Sequence, residues 1–358
     1  MKKNIIITGA GGLVGAEACA YYLSLGYTVH GIDNDMRSYF FGEAASTKWQ
    51  MEHLSENKSF VPCDIDIRNF EALESYFKSI TGEVFGVIHC AAQPSHDWAA
   101  REPFTDFDVN AKGTLNVIEA LRQLSTKIPF VQMSTNKVYG DTPNGLPLRE
   151  KDLRWEIDEN HDYFKNGIDE NMSIDKSTHS LFGVSKVSSD LIVQEYGRYF
   201  DMPTACFRGG CLTGGGHSGA ELHGFLSYLM KCTVTGQAYT VYGYKGKQVR
   251  DNIHSSDLIR AIDLFLQNPK VAAVYNIGGS RYSNCSMLEA INYCEQLAGK
   301  PLNWQYSDDA RVGDHIWWIS DISKFKKDYP NFELTYGIRD VLEDILDKGK
   351  QRWVSSGK

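Results

Sequence analysis

The chain has 358 residues, of which 42% are hydrophobic and 23% are charged, and its formal net charge is −8. These values are typical of a folded chain with a large core and exclude a disordered one. The sequence has no dense basic run and no apolar stretch near the roughly 20 residues of a membrane span, which excludes nucleic-acid-binding and membrane-spanning classes. We therefore expect a soluble protein with neither a nucleic-acid nor a membrane partner.

Strand-like and helix-like segments alternate through the first half of the chain. The predicted strands, in chain order, are 4–8, 27–32, 59–67, 84–90, 129–134 and 204–208. The clearest predicted helices are 16–25, 110–124 and 185–200, and Asn69 can cap another that starts at position 70. Strands separated by helices imply parallel pairing with right-handed crossovers. We therefore predict an α/β fold with a doubly wound, Rossmann-type parallel sheet.

The pattern changes after about residue 208, where glycines and turn residues become frequent. Shorter predicted helices at 255–266, 286–297 and 337–348 occur with short strands such as 273–277. We predict a Rossmann domain over 1–208, with a long loop at 141–180, and a smaller C-terminal α/β substrate-binding domain over 209–358. Some segments of the second half are expected to return to the first domain. Long loops in compact domains are usually functional.

The eight cysteines contain no pair of C-x-x-C motifs at zinc spacing, so no metal site is predicted. Most of them lie in apolar runs, where a free cysteine behaves as a small core residue. The N-terminal Met1-Lys2-Lys3 leads into a short apolar run that ends at glycines, unlike a signal peptide. A cytoplasmic location is therefore expected.

The segment from Thr8 to Gly15 joins the first predicted strand to the first predicted helix. Its glycines Gly9, Gly12 and Gly15 have the G-x-x-G-x-x-G spacing. This spacing permits a tight turn, lets backbone N–H groups approach a pyrophosphate and allows close helix–strand packing. Asp33 ends the second strand 18 residues after Gly15, where a carboxylate binds the adenosine ribose and repels a 2′-phosphate. The pattern predicts NAD rather than NADP as the cofactor.

The segment Asp64-Ile65-Asp66-Ile67 follows the third predicted strand, at the edge where folds of this type hold adenine. Counting back from the helix cap at Asn69 favours Asp66 as the adenine contact, whereas counting along the strand favours Asp64. Both alternatives stay open, and the carboxylate that does not contact adenine is a solvated loop residue.

Several further segments make the chain resemble the extended short-chain dehydrogenase/reductase family over nearly its whole length. They are Ala91-Ala92-Gln93, Asn110-Ala111-Lys112-Gly113-Thr114-Leu115-Asn116, Ser134-Thr135-Asn136-Lys137-Val138-Tyr139-Gly140, Gly183-Val184-Ser185-Lys186, Arg250-Asp251 and Arg311-Val312-Gly313-Asp314. The resemblance implies an NAD-dependent enzyme that modifies a nucleotide-linked sugar. Within the family, the segments 134–141, 167–170 and 246–251 are most similar to those of epimerases that act on C2 of a CDP-linked sugar.

The resemblance also implies which residues bind the two ligands. Beside the three glycines and Asp33, the implied cofactor contacts are Leu13, Val14, Asn34, Asp64, Asp66, Ile67, Ala91, Ala92, Gln93, Asn110, Lys186 and Gly209. The implied substrate contacts are Asn136, Arg208, Cys211, His223, Arg250 and Arg311. The three arginines suit a diphosphate through bidentate hydrogen bonds. Helices 110–124 and 185–200 are implied to form the interface of a homodimer or higher homo-oligomer.

The chemistry implied by the resemblance moves a hydride between a sugar carbinol and the nicotinamide while a tyrosine takes the hydroxyl proton. Lys186 is implied to hold the nicotinamide ribose and to lower the tyrosine pKa, and Thr135 to hydrogen-bond the reacting oxygen. Phe182 stands four residues before Lys186, where the family has this tyrosine. A phenylalanine has no proton to exchange, so turnover by this chain is expected to be impaired.

Three explanations of Phe182 compete. The chain is a variant made to trap a bound substrate, a natural relative that binds without turnover, or an enzyme in which another group transfers the proton. Thr178, His179 and Ser180 lie nearby in the sequence. The first explanation is favoured because every other motif is intact.

Two other classes of function stay open. One is another nucleotide-sugar enzyme, namely a 4-epimerase, a 4,6-dehydratase or a decarboxylase. A dehydratase usually has an acidic pair after the strand-five threonine, whereas this chain has Asn136-Lys137. The other is a non-catalytic protein that binds NAD or a sugar nucleotide, and Phe182 is the only feature in its favour.

Overall fold

The computed structural model describes residues 3–216, 224–310 and 313–355 of the chain. The chain forms two compact units, each assembled from three segments. The first unit comprises Met1–Val138, Ser180–Arg208 and Ile259–Tyr275, and the second comprises Tyr139–His179, Gly209–Leu258 and Asn276–Lys358. The assignment of cofactor binding and substrate binding to two domains stays a prediction.

Strands and helices alternate along the described part of the chain. The strands are β1 Asn4–Thr8, β2 Thr28–Ile32, β3 Phe60–Cys63, β4 Val84–His89, β5 Phe130–Thr135, β6 Leu148–Glu150, β7 Trp155–Ile157, β8 Thr204–Gly209, β9 Cys211–Thr213, β10 Tyr239–Tyr242, β11 Val249–His254, β12 Ala273–Ile277, β13 Asn284–Ser286, β14 Trp304–Ser307 and β15 Trp317–Trp318. The α-helices are α1 Leu13–Ser24, α2 Met36–Phe41, α3 Lys48–Ser55, α4 Phe70–Ser79, α5 His96–Arg101, α6 Pro103–Phe107, α7 Gly113–Leu124, α8 Tyr163–Asn166, α9 Leu181–Phe200, α10 Phe225–Thr235, α11 Ser255–Gln267, α12 Met287–Ala298, α13 Ser323–Asp328 and α14 Ile338–Ser355. None of the described helices is both long and apolar enough to cross a membrane.

A seven-stranded sheet has the strand order β12-β8-β5-β4-β1-β2-β3. β1 pairs in parallel with both β2 and β4, and the pairs β2–β3 and β4–β5 are parallel as well. The direction of strand succession reverses between β1 and β4, and in open α/β sheets such a reversal leaves a crevice at the carboxyl ends of the strands. The architecture confirms the predicted Rossmann-type, doubly wound fold.

Apolar side chains cover both faces of this sheet. The three middle residues of β1, Ile5, Ile6 and Ile7, are fully buried. Because successive side chains of a strand point to opposite faces, their burial shows that both faces are covered, as parallel sheets require. The cluster that contains Ile6 also includes Phe77 of α4 and Leu121 of α7. Full burial of each such side chain contributes about 1.5–3 kcal/mol.

Three predicted helices differ from the observed ones at their amino-terminal ends. The helix predicted at 16–25 begins at Leu13, directly after its N-cap Gly12. α9 begins at Leu181 rather than at position 185, because the Ser180 side chain accepts a hydrogen bond from the Gly183 N–H at 3.1 Å and caps an earlier turn. The helix predicted at 110–124 begins with a π-helical turn, Asp108–Lys112, which leads directly into α7. Such π-turns occur frequently at functional sites.

The second unit contains its own sheets and its own core. β11 pairs with β9, β13 and β15, and β10 pairs with β14. Helices α10, α12 and α14 share a separate hydrophobic cluster that includes Leu229, Ile291 and Leu342. The segment predicted as a long loop contains the antiparallel pair β6–β7 and the short helix α8. Strands of three residues are too short to give an alternation pattern that a sequence reveals.

A buried ion pair joins Asp190 of α9 to Arg208 of β8. Arg208 Nη2 donates to Asp190 Oδ1 at 2.8 Å and Arg208 Nε donates to Oδ2 at 3.1 Å. The two side chains are only 6% and 1% exposed. Ser134 Oγ donates a further hydrogen bond to Asp190 Oδ2 at 2.5 Å. Charges buried in this way are tolerated only as long as both partners are present.

Asp190→Ala is expected to lower the free energy of unfolding by about 3–5 kcal/mol, because it leaves the Arg208 charge buried without its carboxylate. Glu195→Ala, on the same helix, removes the half-exposed partner of Arg198 and should cost no more than about 1 kcal/mol. Urea unfolding followed by circular dichroism measures both variants. Equal losses in the two would contradict the structural role of the buried pair.

Candidate functional site

The glycine-rich turn after β1 lies at the reversal point of the sheet. Gly9 has a φ of +68°, and a Cβ at this position would stand 2.7 Å from Ala91 N, in the loop that follows β4. A Cβ on Gly15 would stand 2.0 Å from the Gly9 carbonyl oxygen. The backbone of α1, the turn and the β4 loop therefore approach one another too closely for side chains at positions 9 and 15.

Helix α1 begins inside this turn. The Gly12 N–H donates to the Gly9 carbonyl oxygen at 3.0 Å, and Gly12 is the N-cap residue, with extended backbone angles. The first N–H groups of a helix, here including those of Leu13 and Val14, have no partner within the helix. Together with the helix dipole, they form a site that suits a pyrophosphate.

Asp33 follows β2 and lies against the glycine turn. Its Oδ2 accepts a hydrogen bond from the Gly11 N–H at 2.9 Å, and its Oδ1 accepts one from the Asp35 N–H at 2.8 Å. Burial raises the pKa of Asp33, and these two hydrogen bonds oppose the shift. Asn34, the next predicted cofactor contact, accepts a hydrogen bond from the Met36 N–H at 3.4 Å through its side chain. The carboxylate thus stands where a ribose bound beside the turn would meet it.

The structure gives the two candidate adenine contacts different surroundings. Asp66 forms an ion pair with Arg68, with 2.6 Å between Oδ2 and Nη2. Burial alone would raise the pKa of Asp66, but the hydrogen bonds from Arg68 outweigh it and lower the pKa. Asp64 is exposed, and Ile67 is buried against Gly113. The choice between the two carboxylates stays open, although the Asp66 carboxylate already has a partner.

A hydrogen-bonded network fixes the β4 loop, which carries Ala91, Ala92 and Gln93. The Gln93 N–H donates to Asn110 Oδ1 at 2.9 Å, and Asn110 Nδ2 donates to the Gln93 carbonyl oxygen at 3.0 Å. Asn110 Nδ2 also lies 3.0 Å from Ser185 Oγ on α9. The β4 loop, the π-turn and α9 are therefore held together by predicted cofactor contacts.

Lys186 is buried on α9, and its Nζ donates to the Met133 carbonyl oxygen of β5 at 3.0 Å. Burial lowers the pKa of Lys186 to about 8, although the carboxylates of Asp190 and Asp106 oppose the shift. A buried lysine whose pKa is lowered in this way is a candidate functional group, because catalytic sites are where such shifts concentrate.

Thr135 is the last residue of β5, two positions after the carbonyl that Lys186 contacts. Its Oγ1 accepts a hydrogen bond from the Lys137 N–H at 3.2 Å and donates one to Asn136 Oδ1 at 3.4 Å. Asn136, a predicted substrate contact, is itself buried. Thr135 and Asn136 therefore lie at the carboxyl end of β5, and Lys186 contacts the same strand two residues before Thr135.

Phe182 lies in the first turn of α9, one helical turn before Lys186, and is 6% exposed. The imidazole ring of His96 packs against it, with ring centroids 4.8 Å apart and an interplanar angle of 63°. His96 Nδ1 lies 2.6 Å from Ser180 Oγ, which is a hydrogen-bonding distance. No motif in the sequence points to His96. The available sequence signal is its place three residues after Gln93, directly after the loop that follows β4, because such loops carry ligand contacts in open α/β sheets.

The predicted substrate contacts are spread along the chain. Arg208 is engaged by Asp190, so its charge already has a buried partner. Arg250 donates to the Val249 carbonyl oxygen at 2.9 Å and lies 3.3 Å from Asp314. Cys211, in β9, is part of a strand that pairs with the strand of Arg250. Gly209 ends β8, and His223 and Arg311 lie outside the described residues.

Residues 5–278 match the NAD dependent epimerase/dehydratase family. The match covers more than half of the chain, and the chain therefore belongs to this family. NAD, expected from the glycine spacing and Asp33, is confirmed as the cofactor by the family match.

Particular relatives cover nearly the whole chain. It is 28% identical over 329 residues to the CDP-paratose 2-epimerase of Salmonella typhi, covering 90% of this chain and 92% of the relative. It is 25% identical to the UDP-glucuronate 4-epimerase of Thermodesulfobacterium geofontis, covering 97% and 96%. The chain is also similar to a solved structure of Bacillus cereus UDP-glucuronic acid 4-epimerase, a tyrosine-to-phenylalanine variant in complex with a fluorinated UDP-sugar and NAD. The TM-score is 0.75 and the identity 24%, and the match covers 98% of this chain and 99% of the other.

Gly15→Ala is expected to lose most of its bound NAD, because the added methyl group would overlap the Gly9 carbonyl oxygen and displace the turn. Gly145→Ala is the matched control, since nothing lies within 4 Å of a Cβ at that position. The measurement is the NAD released per chain after denaturation of each purified variant. Equal NAD content in the two proteins would contradict the assignment of the glycine turn as part of the NAD-binding site.

Proposed function

We propose that the chain epimerises a nucleotide-linked sugar, that the nucleotide is CDP and that the inverted carbon is C2. The observation that carries the proposal is that Thr135 and Asn136 lie at the carboxyl end of β5 and that Lys186 contacts the Met133 carbonyl of the same strand, in the same unit as the glycine turn. The similarity to the CDP-paratose 2-epimerase supports the choice of nucleotide and carbon. The segments 134–141, 167–170 and 246–251, which resemble those of such epimerases, support the same choice.

The reaction is a transient oxidation. NAD, when bound beside the glycine turn, would supply reversible hydride acceptance, so that the sugar carbinol could be oxidised to a ketone and reduced again from its other face. Thr135 is proposed to donate a hydrogen bond to the reacting oxygen, which bears more negative charge as its proton leaves. Lys186 is proposed to hold the nicotinamide ribose, and Arg250 and Arg311 to bind the diphosphate. Because the hydride returns in every cycle, the reaction consumes no external NAD.

The residues around the glycine turn fit NAD. Positions 9 and 15 have no room for a side chain, so the backbone can approach a pyrophosphate. The Asp33 carboxylate, held by the N–H groups of Gly11 and Asp35, is an acceptor for ribose hydroxyls and would repel a 2′-phosphate. The lowered pKa of Lys186 leaves the ammonium available as a donor below about pH 8.

Phe182 decides between turnover and trapping. If no other group takes the proton, the chain binds both ligands without turning over, and Phe182→Tyr raises the rate by about 10²–10⁴-fold, the usual contribution of a general base. The contact of His96 with the Phe182 ring favours instead the explanation in which another group transfers the proton.

A 4-epimerase, a 4,6-dehydratase and a decarboxylase are the alternatives on the same scaffold, and the UDP-glucuronate 4-epimerase relative supports the first of these.

The purified chain is expected to carry NAD and to bind a CDP-sugar at least about tenfold more tightly than the UDP- and GDP-linked sugars, a difference of about 1.4 kcal/mol. Mass spectrometry of the purified protein measures the first and isothermal titration calorimetry the second. Tighter binding of UDP-sugars would contradict the CDP assignment and favour a 4-epimerase. Absence of binding to every sugar nucleotide would contradict the proposed function as a whole.

A further inference from the structure

We propose that His96, paired with Ser180, takes and returns the substrate's hydroxyl proton in place of the missing phenol of position 182. This inference rests on the proposed function and names the proton-transfer group of that same site. It assigns a catalytic role to the first residue of α5, which the motifs of the sequence do not mark.

The first support is the contact between the two rings. Phe182 presents an apolar edge where a tyrosine would present its hydroxyl, and the His96 imidazole packs against that ring at a centroid distance of 4.8 Å. Phe182 is buried, whereas His96 is partly exposed. An imidazole is the side chain whose unperturbed titration lies nearest to neutral pH, so it is suited to both halves of an acid–base cycle. The structure thus has a proton-transfer group beside the position that lost one.

The second support is the orientation of the imidazole. Ser180 Oγ accepts the Gly183 N–H at 3.1 Å as the cap of α9, and it lies 2.6 Å from His96 Nδ1. With the proton of the neutral ring on Nδ1 and donated to Ser180, the lone pair lies on Nε2. The Ser180 hydroxyl can accept from Nδ1–H or donate to Nδ1, and the proposed proton transfer uses the tautomer in which it accepts. Because Ser180 caps the helix that carries Phe182, the first turn of α9 positions both Phe182 and the hydroxyl that contacts His96.

The third support is the set of hydrogen bonds that hold the β4 loop and the start of α5, where His96 lies. The Ser95 N–H donates to Gln93 Oε1 at 2.5 Å, and the Ser95 side chain accepts the Trp98 N–H at 3.3 Å and so caps α5. Gln93 is bonded to Asn110, and Asn110 reaches Ser185 on α9. The loop that leads to His96 is therefore hydrogen-bonded to α9, and His96 itself contacts Ser180 and Phe182 at the start of that helix. Such support is what a catalytic group requires.

The proton transfer balances without a further reactant. In the oxidation, the sugar O–H bond breaks and its proton joins His96 Nε2, while the carbinol hydrogen leaves as hydride to bound NAD and the C–O bond becomes a carbonyl. The imidazolium that forms donates through Nδ1 to Ser180. In the reduction, the hydride returns to the other face of the carbon, and Nε2 gives the proton back to the oxygen.

A double-mutant cycle tests the proposal, with His96→Gln made in the native chain and in the Phe182→Tyr background. The probes are CDP-, UDP- and GDP-linked glucose, and turnover, KM, bound NAD and nucleotide affinity are measured for all four proteins. The native chain is expected to turn over, and His96→Gln to lower kcat by about 10²–10⁴-fold with KM and NAD content unchanged. In the Phe182→Tyr background the phenol replaces the imidazole, so the same substitution should cost less than about tenfold. His53→Gln, on the exposed face of α3, is the matched control and should change nothing.

Three results would overturn the proposal. A native chain without turnover, beside an active Phe182→Tyr protein, would identify Phe182 as a trap while leaving the proposed function intact. Equal losses on His96→Gln in both backgrounds would assign His96 a structural role. Four inactive proteins that bind no sugar nucleotide would remove the proposed function itself, and the binding measurements distinguish this outcome from the other two.

Discussion

The close approach of two loops at the reversal point of the sheet is the constraint on which the site depends. The turn after β1 and the loop after β4 come together so tightly that a Cβ on Gly9 would stand 2.7 Å from Ala91 N. The same β4 loop continues through Gln93, which is tied to Asn110. A side chain at position 9 would therefore disturb both the glycine turn and the loop that leads to His96.

Helix α9 links the region beside the β4 loop to strands β5 and β8 of the first unit. Phe182, Lys186 and Asp190 follow one another at intervals of four residues, so they lie along one side of the helix. Phe182 contacts His96 at the start of α5, Lys186 contacts β5 and Asp190 binds Arg208 of β8. The residues proposed for the chemistry and those that hold the core together are thus on one rigid element. Substitutions at Asp190 are expected to act on stability, and substitutions two turns earlier on catalysis.

Much of the fold could be predicted from sequence because its signals are local. The glycine spacing at 9, 12 and 15 and the buried β1 strand identify the Rossmann sheet without knowledge of any contact. The start of α9 was missed because it depends on the cap at Ser180, and β6 and β7 because three residues give no periodicity. The sequence likewise does not reveal that Arg208 pairs with Asp190, because the two residues are 18 positions apart. An arginine that binds a diphosphate and one that forms a buried ion pair have no sequence pattern that distinguishes them. The sequence does not single out His96, because its proposed role depends on its spatial neighbours Phe182 and Ser180.

The fate of the hydrogen on the inverted carbon tests the central claim most directly. The chain would be incubated with a CDP-sugar deuterated at C2, and the product would be examined by NMR. Oxidation and re-reduction within one site predict that the epimer keeps its deuterium at C2, because the hydride is held by the bound cofactor between the two half-reactions. Loss of the deuterium to solvent, or inversion at another carbon, would contradict the account.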